Sequence, residues 1–167
     1  RERGTLCPVV VSFAAKGGVG KTTMAFALAE RAQETRSEPG RAFKVVLVDA
    51  NSGQSGVQLF LRLQPTARVR TIADYAGTSD YRSALMSPKQ LTDARPRQLP
   101  PVAFGAIFAP RRSDRHPAGA QVYRDVIAAA RQYADLVVID TQIIGTSQIG
   151  PLWSQWLLPL LKDPSCW

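Results

Sequence analysis

With 167 residues, 45% of them hydrophobic, and no internal repeat or low-complexity tract, the chain can bury a real core, and a single domain over residues 1–167 is expected. A formal net charge of +8 and a pI ≈ 10.1 leave two readings open, a polyanionic partner or a solvated basic face. Cys7 and Cys166 match no metal-ligand spacing, no signal-peptide pattern opens the chain, and Leu152–Leu161 is broken by Pro159 and too short to span a bilayer, so a cytoplasmic chain without a transmembrane segment is expected.

In chain order, the apolar run from about Pro8 to Phe13 predicts a first strand, and a glycine loop follows it. A helix from about Lys21 to Glu34 is stopped by Ser37-Glu38-Pro39-Gly40. Lys44–Asp49 is a short apolar run ending in an acid, which predicts a buried parallel strand with Asp49 delivered to its carboxyl edge, facing the loop. Between Gln54 and Gln98 the pattern weakens to short helices at Val57–Leu63, Thr71–Tyr75 and Pro88–Ala94. Val102–Ala109 reads as a third strand, Pro110–Pro117 as a polar loop holding the lone His116, and Ala120–Tyr133 as a helix with Val122, Val126, Ile127 and Ala130 on one face. Leu136–Asp140 closes the series as a fourth strand. Strands alternating with helices predict a doubly wound α/β domain, a mostly parallel sheet with helices on both faces.

The chemistry sits where the first strand meets the first helix. Glycines allow successive backbone N–H groups to point at one anion at a helix N-terminus, so Gly17, Gly18, Val19, Gly20, Lys21, Thr22 and Thr23 are the candidate nucleotide-binding residues. Lys21 supplies a charge for the β and γ phosphates, and Thr22 a hydroxyl for Mg²⁺. Asp140, after four apolar residues, fits a carboxylate that supports Mg²⁺, usually through a water. The strict phosphate-loop pattern fails, because Ala15 stands where its first glycine belongs; the chain carries K-G-G-x-G-K-T instead.

That variant resembles the deviant Walker A motif of the ParA/MinD family, and Ala134–Thr141 looks like the family's Walker B strand. The resemblance runs from about Val9 to Thr141 and implies a P-loop ATPase that uses ATP and Mg²⁺ and forms a homodimer with the nucleotides sandwiched between its subunits. By position, Lys16 would reach into the partner's site, and Asp49 and Asn51 would arrange the attacking water. The implied function is plasmid or chromosome partition on non-specific DNA with a centromere-binding adaptor. The arginines of the middle third, among them Arg62, Arg68, Arg70, Arg95, Arg97, Arg111, Arg112 and Arg115, would supply phosphate contacts without base reading.

Three features depart from the family pattern. Asn51 stands where the second acid of a D-x-D pair is usual; an amide cannot take a proton but can still hold a water. Gln142-Ile143-Ile144 replaces the usual prolines after the Walker B strand. The family's further strands do not follow, so a partial domain is expected, with a Trp-rich tail that leaves apolar surface exposed or uses it for self-association. Two rivals follow: a MinD-like or pilus-positioning ATPase at a membrane, against which Lys162 is the only basic residue of the tail, and a non-hydrolysing nucleotide-dependent scaffold or inactive remnant, which Asn51 favours.

Overall fold

Runs of apolar, largely β-branched residues with no polar alternation favour burial on both sides, and the two longest in this chain form adjacent central strands. In the computed structural model, which describes residues 7–14, 17–36, 38–51, 56–78, 80–110, 119–141 and 153–166, β2 (Val45–Ala50) and β5 (Leu136–Thr141) are buried at every position. They pair in parallel from Val45↔Leu136 to Ala50↔Thr141. β1 (Val9–Ser12) lies parallel on the far side of β5, and β4 (Gly105–Ile107) parallel on the far side of β2. A two-residue strand, β3 (Leu85–Met86), pairs antiparallel with β4, and the order across the sheet is β1-β5-β2-β4-β3.

Helices cover both faces, as a doubly wound sheet requires. On one face α1 (Lys21–Arg36) lays Ala25 and Ala29 flat on Leu47 and Val138, while α2 (Gly56–Phe60) and α5 (Pro88–Asp93) contribute Val57 and Leu91. Phe26 turns from α1 toward Phe60 and Phe104, with ring centroids 4.6 and 5.3 Å away. On the other face α3 (Ile72–Thr78), α4 (Tyr81–Ala84) and α6 (Ala120–Tyr133) pack against Val9, Val46, Val48 and Ile139. None of the helices among the described residues is long and apolar enough to cross a membrane.

The tail corrects one expectation. A π-helical turn, Trp153–Leu157, runs into α7 (Leu158–Leu161), and Trp156 and Leu157 are buried against α6 rather than exposed. Trp156 stacks on Tyr123 at 4.9 Å and 11°. Arg131, near the end of α6, fastens the tail to β1: Nε donates to the Cys7 carbonyl at 3.0 Å, Nη1 to Asp163 at 2.9 Å and Nη2 to the Ser165 hydroxyl. The bond from Arg131, with those from the Ser165 hydroxyl and N–H, holds the Asp163 carboxyl well below the usual carboxylate range. The Val9 N–H then donates to the Ser165 carbonyl at 2.9 Å.

The strand expected over Val102–Ala109 is regular only at Gly105–Ile107, and α4 and β3 occupy a stretch for which no element was expected. Both are four residues or fewer, too short to show a period. The arginines at 111, 112 and 115, His116 and the run Gln142-Ile143-Ile144 lie outside the described residues.

Candidate nucleotide site

The parallel strands end together on one edge of the sheet, and the register there brings the predicted acids side by side. Ser12, Asp140 and Asp49 are direct neighbours across β1, β5 and β2. Asp140 and Asp49 share the parity of Val138 and Leu47, so both carboxylates leave the sheet on the α1 face. Each is fully buried.

Above them the chain turns through Gly17–Gly20 into α1. Gly18 (φ 72°) and Gly20 (φ 84°) take left-handed backbone conformations that a Cβ would strain. All four loop residues are exposed, Val19 among them, and so is Thr23 in the first helical turn. The Gly20 carbonyl accepts from Met24 N–H at 2.9 Å, which starts the helix immediately after the glycines and leaves its first N–H groups facing the open end. Lys16, to which the resemblance gives a role across a dimer, lies outside the described residues.

Thr22 is the point where loop and sheet meet. Its Oγ1 donates to Oδ2 of Asp140 at 2.6 Å, joining residues 118 apart in the chain. Burial raises the Asp140 carboxyl above its ordinary pKa, while the Thr22 hydroxyl and the Lys21 charge pull it back down. Oδ1 of Asp140 and Oδ2 of Asp49 are both buried, with no hydrogen-bond partner among the described residues. Asp49 accepts from the N–H of Asn51 at 2.9 Å. Burial, reinforced by the Asp140 carboxyl and opposed by the N–H groups of Asn51 and Val57, pushes the Asp49 pKa from 3.8 up to about 7.

Two carboxylates with unsatisfied oxygens in a buried setting form an unfavourable arrangement unless a cation completes it. A hydroxyl and a carboxylate are the hard oxygen donors that Mg²⁺ takes while keeping the rest of its shell for water and phosphate, so Thr22 and Asp140 fit that ion. Among the described residues no group of three or more His, Cys, Asp or Glu side chains could hold a metal ion.

The structure also shows contacts that the sequence does not announce. The Thr141 hydroxyl donates to the Ser12 carbonyl at 2.9 Å, and the Ser12 hydroxyl to the Lys21 carbonyl at 3.2 Å. The two together lace β5, β1 and the first turn of α1 under the loop. Gly56 opens α2 against the same point, where a Cβ would stand 3.6 Å from the Thr22 hydroxyl. A strand-final Ser or Thr carries no signal of its own; for Thr141 the register between β1 and β5 decides which carbonyl it meets.

Residues 7–143 match the family profile described as AAA domain. No curated protein matches the chain in sequence. Among solved structures, a ParA family ATPase from Chlorobium tepidum TLS is 20% identical with a TM-score of 0.60, the alignment covering 91% of this chain and 57% of that one. MinD in the MinC:MinD cell division protein complex of Aquifex aeolicus aligns over 81% and 48% at 20% identity and a TM-score of 0.56. An ATP complex of a substituted McdA from Cyanothece aligns over 82% and 48% at 21% identity and a TM-score of 0.52. The chain thus spans about half the length of the structures it matches. The profile covers most of the sequence and the shared architecture is that of ParA/MinD-type P-loop ATPases: the chain belongs to the AAA domain family and has the ParA/MinD fold.

Proposed function

We propose that the chain is a ParA-like ATPase that binds Mg·ATP at residues 16–23, dimerises around the nucleotide and serves plasmid or chromosome partition on non-specific DNA. The observation that carries this reading is the 2.6 Å bond from Thr22 to Asp140, which places the phosphate loop and the acid strand at one point beside two unsatisfied carboxylate oxygens. The N–H groups of Gly17–Gly20 and the Lys21 ammonium bind and orient the phosphates, and the Thr22 hydroxyl and Asp140 carboxylate hold the cation. When bound, that cation neutralises charge on the transferring phosphoryl group. Asp49, in its buried position, and Asn51 beside it orient the attacking water. Phosphoryl transfer depends more on such positioning than on a strong base, so Asn51 slows turnover without forbidding it. The homodimer, the DNA and an adaptor protein are carried over from the ParA/MinD resemblance, in which Lys16 acts on the partner subunit's nucleotide.

Sedimentation velocity with and without Mg·ATP tests the assembly step. The account expects a dimer with ATP that is lost in Lys16→Ala; a monomer under both conditions would contradict it. Asn51 also favours a second reading, a scaffold that responds to bound ATP without hydrolysing it. In that case the dimer forms and phosphate release stays at background.

A further inference from the structure

We propose that a groove at the β3 edge of the sheet, centred on Arg68 and Arg70, binds the phosphodiester backbone of a nucleic acid at two successive phosphates. The proposal rests on the DNA reading above and adds the surface that would carry it. The segment Arg68-Val69-Arg70-Thr71 is extended: Thr71 bridges in parallel to Phe108 beyond the end of β4, and Ile72 N–H donates to the Phe108 carbonyl at 2.9 Å. Val69 and Thr71 are buried, while Arg68 is exposed and Arg70 half-buried, so the two arginines alternate out of the core on one side of the segment. At strand rise, same-side neighbours stand roughly 6.6 Å apart, the scale that separates successive phosphates of a nucleic-acid strand.

Both arginines line a cavity on each side of this segment. One lobe, of ≈ 540 Å³, is completed by Gln64, Thr66, Met86, Gln90 and Asp93. The other, of ≈ 460 Å³, is completed by Asp74, Thr78, Asp80, Arg82 and Ser83. The acids are locally occupied: Asp74 accepts from Thr71 N–H at 2.7 Å, Asp80 from Arg82 N–H at 3.0 Å, and Asp93 from Lys89 at 2.6 Å. Among the described residues none of the three forms an ion pair with a groove guanidinium. The Arg70 guanidinium donates to the Arg82 carbonyl at 2.9 Å, a neutral acceptor that brings it no counter-charge. In the first lobe the single acid, Asp93, is offset by Lys89, so Arg68 and Arg70 stand beside neutral hydrogen-bonding groups, the setting in which arginine recognises phosphate; in the second, Asp74 and Asp80 offset two of the three arginine charges. Neither lobe is lined by an aromatic ring, so the groove offers no stacking platform and would read backbone only. It is separate from the Thr22–Asp140 site, with which it shares no residue.

The test measures binding of a random-sequence duplex, and of a single strand of the same length, by fluorescence anisotropy across a salt series. It compares wild type with Arg68→Gln/Arg70→Gln and with a control, Arg31→Gln/Arg41→Gln, that removes the same charge from outside the groove. Losing two phosphate contacts should lower the slope of log K against log salt by about 1.8 and weaken binding roughly 30-fold near 0.15 M salt. The control should keep the wild-type slope, and binding of a fluorescent ATP analogue should be unchanged in both. Wild-type protein that binds the duplex while the groove variant matches it, or while both variants lose affinity equally, would overturn the groove and leave the DNA reading standing. Wild-type protein that binds neither nucleic acid at low salt would overturn both.

Discussion

Replacing Asp49 with asparagine should stabilise the nucleotide-free protein at neutral pH and remove most of its pH dependence. Asp49 is fully buried beside Asp140, and its folded pKa of about 7 compares with 3.8 for the unperturbed carboxyl. From about pH 4 to about pH 7 the unfolded chain has given up a proton that the folded chain keeps, so stability falls as pH rises through that window and is level above it. A shift of about three pKa units bounds the loss at on the order of 4 kcal/mol, a large fraction of the roughly 5–15 kcal/mol that holds a typical domain together. Asparagine cannot ionise, so Asp49→Asn should keep only the part of the slope that comes from Asp140, whose carboxyl burial also raises. Urea unfolding of both proteins without nucleotide or Mg²⁺, at several points between about pH 4.5 and about pH 7.5, measures the difference directly. A variant with the wild-type slope, or one less stable than wild type at neutral pH, would refute the reasoning and show that Asp49 is ionised and satisfied in the folded protein.

Asn51→Asp, which restores the second acid of the D-x-D pattern, should raise the rate of phosphate release; a steady-state assay showing an unchanged or lower rate would count against the water-holding role given to this position. Arg131→Met should cost about 2 kcal/mol by removing charge-assisted bonds to Cys7, Asp163 and Ser165 that no apolar side chain replaces. Its signature is a lower urea midpoint, with protease cutting the tail between α7 and residue 166 before the sheet; wild-type resistance would mean that the Trp156–Tyr123 stack alone holds the tail.

How far the sequence could be read depended on whether the chemistry was local. Gly18, Gly20, Lys21 and Thr22 are neighbours in the chain, and the left-handed turns and helix start they form need no distant partner to be recognised. The strands ending in Asp49 and Asp140 were legible because a strand buried on both faces has no room for polar alternation. That the two acids stand directly opposite each other is set by the register between β2 and β5, which neither segment encodes alone. The same holds for Thr141, whose hydroxyl finds the Ser12 carbonyl only when β1 and β5 pair. The tail was misjudged for a related reason. Arg131 reads as an ordinary basic residue in the last turn of a helix, and only the packed structure brings Cys7, Asp163 and Ser165 around it, so that the apolar face of Trp156 and Leu157 has a place to go.

The central claim is that Gly17–Thr23 and Asp140 form one Mg·ATP site, and isothermal titration calorimetry of ATP tests it most directly. Wild-type protein should bind ATP more tightly with Mg²⁺ than with EDTA. Lys21→Ala should abolish the binding heat, and Thr22→Val, which removes the hydroxyl bonded to Asp140, should erase the advantage of Mg²⁺ while leaving weak metal-independent binding. Equal ATP affinity in wild type and Lys21→Ala, or a Mg²⁺ advantage undiminished in Thr22→Val, would contradict the account.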